Sequence, residues 1–112
     1  MEIYHNPRCS KSRQTLALLQ EKGYDPKIIE YLKVSLSPAE LKEILSKLNL
    51  PPQGLLRKNE ADYKTHFKGK ELSNEEWIEA MIAYPKLIER PIVINKDKAA
   101  LGRPPEQVLD IL

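Results

Sequence analysis

Apolar residues divide the first third of the chain into a strand, a helix and a second strand. Residues 2–5 alternate in polarity and end at an Asn-Pro turn signal. Over residues 12–22 the leucines recur on one helical face, and Gly23 follows where a C-cap glycine is expected. Residues 27–32 predict a second strand. Because a helical crossover joins the two strands, we expect them to be parallel and the crossover to be right-handed.

Two capping boxes open helices in the middle of the chain. They are residues 37–40, with a proline at the first helical position, and residues 73–76. An apolar helical face follows each box, and prolines at positions 51 and 85 end the two helices. Residues 64–70 are polar, and we predict a loop there.

The last part of the chain predicts two strands and a helix. Residues 91–95 are typical of a buried strand, residues 96–98 of a hairpin turn, and residues 99–101 of a short return strand. A final helix begins at the proline pair 104–105. The order β-α-β, helices, β-β-α is the connectivity of a thioredoxin-like mixed sheet with a helical insertion. We therefore predict an α/β fold and a single domain over residues 1–112.

Composition and charge exclude several classes of protein. The chain has 112 residues, of which 41% are hydrophobic and 30% charged, as in a soluble globular domain. It contains no apolar run of the roughly 18 residues that a membrane span requires, and its first residues do not resemble a signal peptide. We expect a cytoplasmic monomer that does not bind a membrane. A net charge of +2 is too small to indicate nucleic-acid binding.

The only cysteine, Cys9, is the strongest candidate for chemistry. It lies in the loop between the first strand and its crossover helix, among Arg8, Lys11 and Arg13. Backbone N–H groups at a helix N-terminus and nearby positive charges stabilise a thiolate and also bind anions. The alternative is a core cysteine, but that predicts apolar neighbours, and these are polar or basic. No Cys/His cluster has the spacing of a zinc site, so we predict no metal.

Two further residues could assist the thiol. Ser12 completes a Cys-x-x-Ser pattern, and its hydroxyl can donate a hydrogen bond to the thiolate. It can equally be no more than a residue of the first helical turn. His5, four residues before Cys9, can tune the thiol through a hydrogen-bond network or be a strand-end histidine without a role. In either case a bond formed at Cys9 must be broken by a thiol of another molecule.

Three arginines stand in unusual settings. Arg57 follows two leucines, Arg90 precedes Pro91 and a buried strand, and Arg103 lies in a Gly-Arg-Pro-Pro block. In a thioredoxin-like fold the loop before the third strand lies against the helix that carries the cysteine, which places Arg90 and Pro91 beside Cys9. A guanidinium fork suits a tetrahedral oxyanion. For each arginine a surface salt bridge is the alternative, and spacing alone does not bring the three together.

Four blocks in this order resemble the glutaredoxin-linked arsenate reductase (ArsC) family over essentially the whole chain. The blocks are His5-Asn6-Pro7-Arg8-Cys9-Ser10-Lys11-Ser12-Arg13, Leu55-Leu56-Arg57-Lys58-Asn59, Glu89-Arg90-Pro91-Ile92-Val93 and Gly102-Arg103-Pro104-Pro105-Glu106. The Ser-Lys pair after the cysteine replaces the small neutral pair found at this place in the well-studied resistance enzymes of the family. In this respect the chain resembles a chromosomal branch of the family.

The resemblance implies that Cys9 is the catalytic cysteine, that His5 and Ser12 assist its ionisation, and that Pro91 is a cis-proline which shapes the site. It implies three oxyanion-binding residues, Arg57, Arg90 and Arg103. The thiolate would attack arsenate, glutathione would release arsenite, and glutaredoxin would remove glutathione from the cysteine. Glutathione is then a co-substrate, glutaredoxin a partner, and no tightly bound cofactor is needed.

Two other functions stay open from the sequence. One is a glutathione-dependent thiol-disulfide reductase that acts on protein mixed disulfides. The other is a redox regulator resembling Spx, which shares the fold and binds RNA polymerase. Spx resembles this chain around Arg90 and Pro91, but it commonly carries Cys-x-x-Cys, whereas position 12 is serine, and it lacks the Leu-Leu-Arg-Lys-Asn and Gly-Arg-Pro blocks.

Overall fold

Four strands form one mixed sheet in a computed structural model that describes all residues 1–112. The strands are β1 (Glu2–Tyr4), β2 (Lys27–Ile29), β3 (Ile92–Asn95) and β4 (Lys98–Leu101). Their order is β2-β1-β3-β4. β1 pairs parallel with β2, and β3 pairs antiparallel with both β1 and β4. The predicted parallel β-α-β unit, the terminal hairpin and the α/β class are confirmed.

Helices account for most of the remaining chain. They are α1 (Ser10–Glu21), α2 (Pro38–Leu48), α3 (Ala61–His66) and α4 (Asn74–Ala83). Three 3₁₀ helices, Pro52–Leu55, Pro85–Leu87 and Pro105–Ile111, each begin with proline. Proline suits a first helical turn, because its fixed φ is helical and the N–H that it lacks would be unpaired there. None of the helices has both the length and the apolar character that a membrane crossing requires.

The chain forms two compact units. The first comprises Met1–Val34 and Arg90–Leu112, and the second Ser35–Glu89. The first holds the sheet, α1 and the last 3₁₀ helix around a core that includes Ile3, Leu19, Val93 and Val108. The second holds α2, α3 and α4, and its fully buried residues include Leu41, Leu55, Met81, Leu87 and Ile88. The helices inserted between β2 and β3 match the predicted insertion, and the single domain stays a prediction.

The second strand is shorter than predicted. β2 ends at Ile29, because the Glu30 carbonyl accepts hydrogen bonds from the N–H groups of Lys33 at 2.9 Å and Val34 at 3.1 Å. These bonds close a turn where the sequence predicted strand to residue 32.

The loop predicted over residues 64–70 is wrong in its first part, because α3 extends to His66. Aromatic packing explains this helix. The rings of Tyr63 and Phe67 lie 6.4 Å and 5.8 Å from the ring of Trp77 on α4. Ring contacts of this kind stabilise a short segment whose own sequence is mostly polar.

Candidate active site

The turn between β1 and α1 places Cys9 at the N-terminus of the helix. The Asn6 side chain accepts a hydrogen bond from the Arg8 N–H at 3.0 Å, and the Asn6 carbonyl accepts one from the Cys9 N–H at 3.0 Å. Asparagine favours such a turn, because its short side chain bonds to the backbone two residues on. Cys9 is the N-cap residue, and its carbonyl accepts the Arg13 N–H at 3.0 Å. The sulfur therefore lies beside the unpaired N–H groups of the first turn.

The Cys9 thiol is partly exposed, and its pKa is lowered from the ordinary value. Burial is the largest influence and raises the pKa. The backbone N–H of Ser12 and the side chains of Arg90 and Arg103 lower it, and together they outweigh burial. The positive end of the helix dipole acts in the same direction. This arrangement can supply a thiolate nucleophile.

Arg103 brings a guanidinium group to the sulfur from a distant part of the sequence. Its Nη1 lies 3.8 Å from Cys9 Sγ and donates a hydrogen bond to the Arg90 carbonyl at 3.1 Å. The Arg90 side chain also hydrogen-bonds Cys9, as the predicted position of the loop before β3 requires. The Arg90–Pro91 and Arg103–Pro104 peptide bonds are both cis. The structure thus brings Arg90, Pro91 and Arg103 into one site with Cys9.

The hydroxyl of Ser12 is directed to other partners than the thiol. Ser12 is fully buried, and its Oγ accepts the Asn6 N–H at 3.1 Å and lies 2.6 Å from His5 Nδ1. The hydroxyl thus contacts His5 and Asn6 rather than the thiolate, whose hydrogen bond to Ser12 was one of the two alternatives that the sequence left open. Ser12 acts on Cys9 through its backbone N–H instead.

His5 is buried, and its pKa is lowered from 6.5. Burial is the main cause; the charge of Arg13 lowers the pKa further, and the charge of Glu30 opposes both. The ring is therefore neutral at pH 7. Which of Ser12 Oγ and His5 Nδ1 donates in their hydrogen bond depends on which ring nitrogen carries the proton. His5 supports the first turn of α1 through Ser12, so its link to Cys9 is indirect.

The basic residues that surround Cys9 in sequence are all exposed: Arg8, Lys11 and Arg13. Arg13 donates from Nη1 to the Pro7 carbonyl at 2.9 Å. Solvent screens exposed charges strongly. Most of the positive charge that acts on Cys9 therefore comes from Arg90 and Arg103 rather than from its sequence neighbours.

Two residues next to the site, Thr15 and Gly102, carried no functional prediction. Thr15 is fully buried on α1, and its hydroxyl shares its one proton between the carbonyls of Lys11 at 2.8 Å and Gly102 at 3.3 Å. One signal was present in the sequence: Ser12 and Thr15 share a helical face with Leu19, at spacings of three and four residues, and the structure buries all three. Polar side chains on a buried helical face need hydrogen-bond partners and often mark a site.

Arg57 lies in the second unit, where two carboxylates bind it. Its Nη1 lies 3.0 Å from Glu89 Oε1, and its Nε lies 3.3 Å from Glu60 Oε1. The Arg57 N–H donates to the Leu87 carbonyl and the Glu89 N–H to the Leu55 carbonyl, both at 2.8 Å. These bonds fix the backbone that carries both members of the ion pair. A part for Arg57 in an oxyanion site stays a prediction.

No group of three or more His, Cys, Asp or Glu side chains is arranged to hold a metal ion. The groups that the structure brings together at the sulfur are two guanidinium groups and a backbone N–H.

Comparison with known proteins gives consistent matches. The model of the ArsC family matches residues 4–111. An arsenate reductase of Haemophilus influenzae is 49% identical, with 98% of this chain and 97% of that protein covered. An arsenate reductase of Escherichia coli is 38% identical over 98% of this chain and 79% of its own length. The solved structure of an arsenate reductase from Vibrio cholerae, 50% identical, superposes with a TM-score of 0.95 over 99% of this chain and 96% of its own.

Proposed function

Because the chain belongs to the ArsC family, we propose that it is an arsenate reductase whose nucleophile is Cys9. One observation carries the proposal: the Cys9 thiol has a lowered pKa, and Arg103 Nη1 lies 3.8 Å from its sulfur. The guanidinium groups that stabilise the thiolate can also bind the oxygens of a tetrahedral oxyanion held against it. The same guanidinium groups thus stabilise the nucleophile and form the anion site.

In the first step the Cys9 thiolate attacks the arsenic of arsenate. A sulfur–arsenic bond forms, and the hydroxyl group of hydrogen arsenate takes up a proton from solvent and leaves as water. Arsenic remains in the +5 state. Arg90 and Arg103 hold the remaining oxygens and offset the repulsion between the thiolate and an anionic substrate, while N–H groups of the first turn of α1 add partial positive charge.

In the second step a glutathione thiolate attacks the sulfur of Cys9. A sulfur–sulfur bond forms, the sulfur–arsenic bond breaks, and its electron pair stays on arsenic, which leaves as arsenite. The two electrons come from the two thiols, which are oxidised to a mixed disulfide. Glutaredoxin then takes glutathione from Cys9 by thiol exchange and restores the thiolate. Since Cys9 is the only cysteine of the chain, the resolving thiols are external.

This scheme places the protein in the cytoplasm, where glutathione is kept reduced. It acts there as a monomer, with glutathione as co-substrate and glutaredoxin as partner. Arsenate reductases of the ArsC family need no tightly bound cofactor in general, and the proposed reaction needs none. It involves neither nucleic acid nor a membrane.

The test is arsenate-dependent turnover. The protein is incubated with arsenate, glutathione and glutaredoxin, and NADPH consumption is followed through glutathione reductase. We expect turnover with the natural chain and none with Cys9→Ser. A natural chain that turns over no faster than Cys9→Ser would refute the proposal.

A charge-matched pair of variants examines the anion site. Arg103→Gln should lower arsenate turnover by at least about tenfold, because it removes a charge-assisted contact to the oxyanion. Lys98→Gln removes one charge from an exposed position of β4 and should change turnover little. Arg57→Gln, assayed in the same way, measures the predicted part of Arg57.

A thiol-disulfide reductase is the second candidate, because the lowered pKa and partial exposure of Cys9 also suit disulfide exchange. The two functions differ in their need for the arginines. In an arsenate reductase, Arg57→Gln and Arg103→Gln reduce arsenate turnover far more than exchange with a glutathionylated protein. Equal losses in both assays would favour the second candidate.

A further inference from the structure

Thr15 and Gly102 form a close buried contact next to the site. The single proton of the Thr15 hydroxyl is shared between the Lys11 carbonyl at 2.8 Å and the Gly102 carbonyl at 3.3 Å. On the other side of the same segment, the Gly102 N–H donates to the Pro91 carbonyl at 2.9 Å. The backbone at position 102 is therefore held both to α1 and to the segment that begins β3.

Gly102 has no space for a side chain. A Cβ atom there would overlap the Thr15 hydroxyl and would lie 2.7 Å from Pro91 Cγ and 2.9 Å from Thr15 Cγ2. Contacts under 3.0 Å require one of the groups to move. Neither the proline ring nor the buried threonine can move cheaply, so the glycine is required for close approach and not for its backbone angles.

Two partners in this contact, Gly102 and Pro91, are bonded directly to arginines of the site. Gly102 is joined to Arg103, whose Nη1 reaches Cys9 Sγ at 3.8 Å, and Pro91 is joined to Arg90. Thr15 lies on α1, the helix whose N-cap residue is Cys9. We propose that Thr15 and Gly102 are positioning residues that hold Arg103 at the Cys9 sulfur. The inference rests on the proposed function in one respect, the use of Arg103 at Cys9.

The distance explains why the positioning matters. At 3.8 Å the nitrogen–sulfur contact is near the outer limit of a hydrogen bond to sulfur, so a small shift of the segment at residue 102 removes it. Misplacement of a catalytic group by about 1 Å can lower a rate by about a hundredfold.

Three variants of the full chain test the contact. Thr15→Val keeps the size of the side chain and removes the hydroxyl, Thr15→Ser keeps the hydroxyl, and Gly102→Ala introduces the Cβ. Leu19→Val, at a fully buried position of the same helix, is the control for a general loss of packing. Thermal unfolding of each variant establishes that it is folded.

The readout is alkylation of Cys9 by iodoacetate and by iodoacetamide. Both reagents attack the same thiolate, and only iodoacetate is an anion, so the ratio of their rates measures the positive charge held at the sulfur. A role that is merely structural would not change this ratio. The pKa of Cys9, from ultraviolet thiolate absorbance against pH, is the second readout.

We expect Gly102→Ala to lower the iodoacetate-to-iodoacetamide ratio by about tenfold and to raise the pKa of Cys9. Thr15→Val should act in the same direction with a smaller change, while Thr15→Ser and Leu19→Val stay near the natural chain. If Gly102→Ala does not fold, Thr15→Val decides. A folded Thr15→Val with an unchanged ratio and pKa, or an equal fall in Leu19→Val, would overturn the proposal.

Alkylation needs no arsenate, so the two proposals can fail separately. If the natural chain shows no arsenate turnover but the variants still lower the iodoacetate-to-iodoacetamide ratio, the proposed function is refuted and the positioning role is supported. Arsenate turnover that is present, together with an unchanged ratio in the variants, refutes the positioning role alone.

Discussion

Opposing influences act on the thiol of Cys9. Burial raises its pKa, and the Ser12 N–H, Arg90 and Arg103 lower it by a larger total. Arg103→Gln removes one of the lowering groups, so we predict that the pKa of Cys9 rises in this variant. The pH at which alkylation by iodoacetamide reaches its plateau should move upward by the same amount, because only the thiolate reacts.

The matched control for this prediction is again Lys98→Gln, which removes an exposed charge. It should leave the pH dependence of alkylation by iodoacetamide unchanged. A profile for Arg103→Gln that coincides with that of the natural chain would contradict the assignment of Arg103 to the thiolate.

The buried His5 makes stability depend on pH. Its pKa is lowered below 6.5 in the folded chain, mainly by burial. Between the folded and unfolded pKa values the unfolded chain binds a proton that the folded chain does not, so the free energy of unfolding rises with pH in that interval. The stabilisation is complete above pH 6.5 and is lost as the pH falls through the folded pKa. Urea unfolding at a series of pH values measures this slope.

His5→Gln removes the titrating group, and we predict a flatter dependence of stability on pH below 6.5. The matched control is His66→Gln, at the exposed second histidine. A slope that is unchanged in His5→Gln, or flattened equally in His66→Gln, would contradict the prediction.

How far the sequence predicted the site differs from residue to residue. Cys9 could be placed at a helix N-terminus because the strand, turn and helix that surround it are adjacent in sequence. The position of Arg103 could not be derived in this way, since it lies 94 residues from Cys9 and no local rule spans that distance. The partners of the Ser12 hydroxyl were also missed, because they depend on the burial of His5 beside it.

Among the elements, the helices with side-chain caps were the most predictable. Ser37 and Glu40 exchange side-chain-to-backbone hydrogen bonds, both at 3.1 Å, at the start of α2. Ser37→Ala removes the hydroxyl that accepts the Glu40 N–H, and we predict a loss of about 1 kcal/mol in the free energy of unfolding. Urea unfolding monitored by circular dichroism measures it.

Ser46→Ala is the control for Ser37→Ala, because Ser46 is exposed within α2, where alanine is the better helix former. Its stability should be equal to or slightly above that of the natural chain. Equal losses in the two variants would show that the cap is not the source of the effect.

Helix α3 shows where local signals fail. It has six residues and no side-chain cap, and none of its residues is buried. So short a helix has no apolar periodicity to detect and is marginal by itself. Its stability depends on the ring contacts of Tyr63 and Phe67 with α4, which the sequence does not specify.

On the scale of the molecule, the first unit is assembled from both ends of the chain. β1 lies between β2 and β3, and β3 comes from the segment after Arg90. The core residues Val93, Val108 and Ile111 also come from that segment. A chain of residues 1–89 keeps only the β1–β2 pair of the sheet, and an isolated pair of strands is marginally stable at best.

We therefore predict that in the fragment 1–89 the thiol of Cys9 loses its lowered pKa, although the fragment retains Cys9 and all its neighbours in sequence. It lacks Arg90 and Arg103 and the strand that pairs with β1, so the groups that lower the pKa of Cys9 are absent or disordered. Its iodoacetamide profile should coincide with that of the full chain unfolded in urea. If the fragment instead kept the profile of the folded full chain, the residues around position 9 would suffice for the lowered pKa. The assignment of that property to the assembled unit would then be wrong.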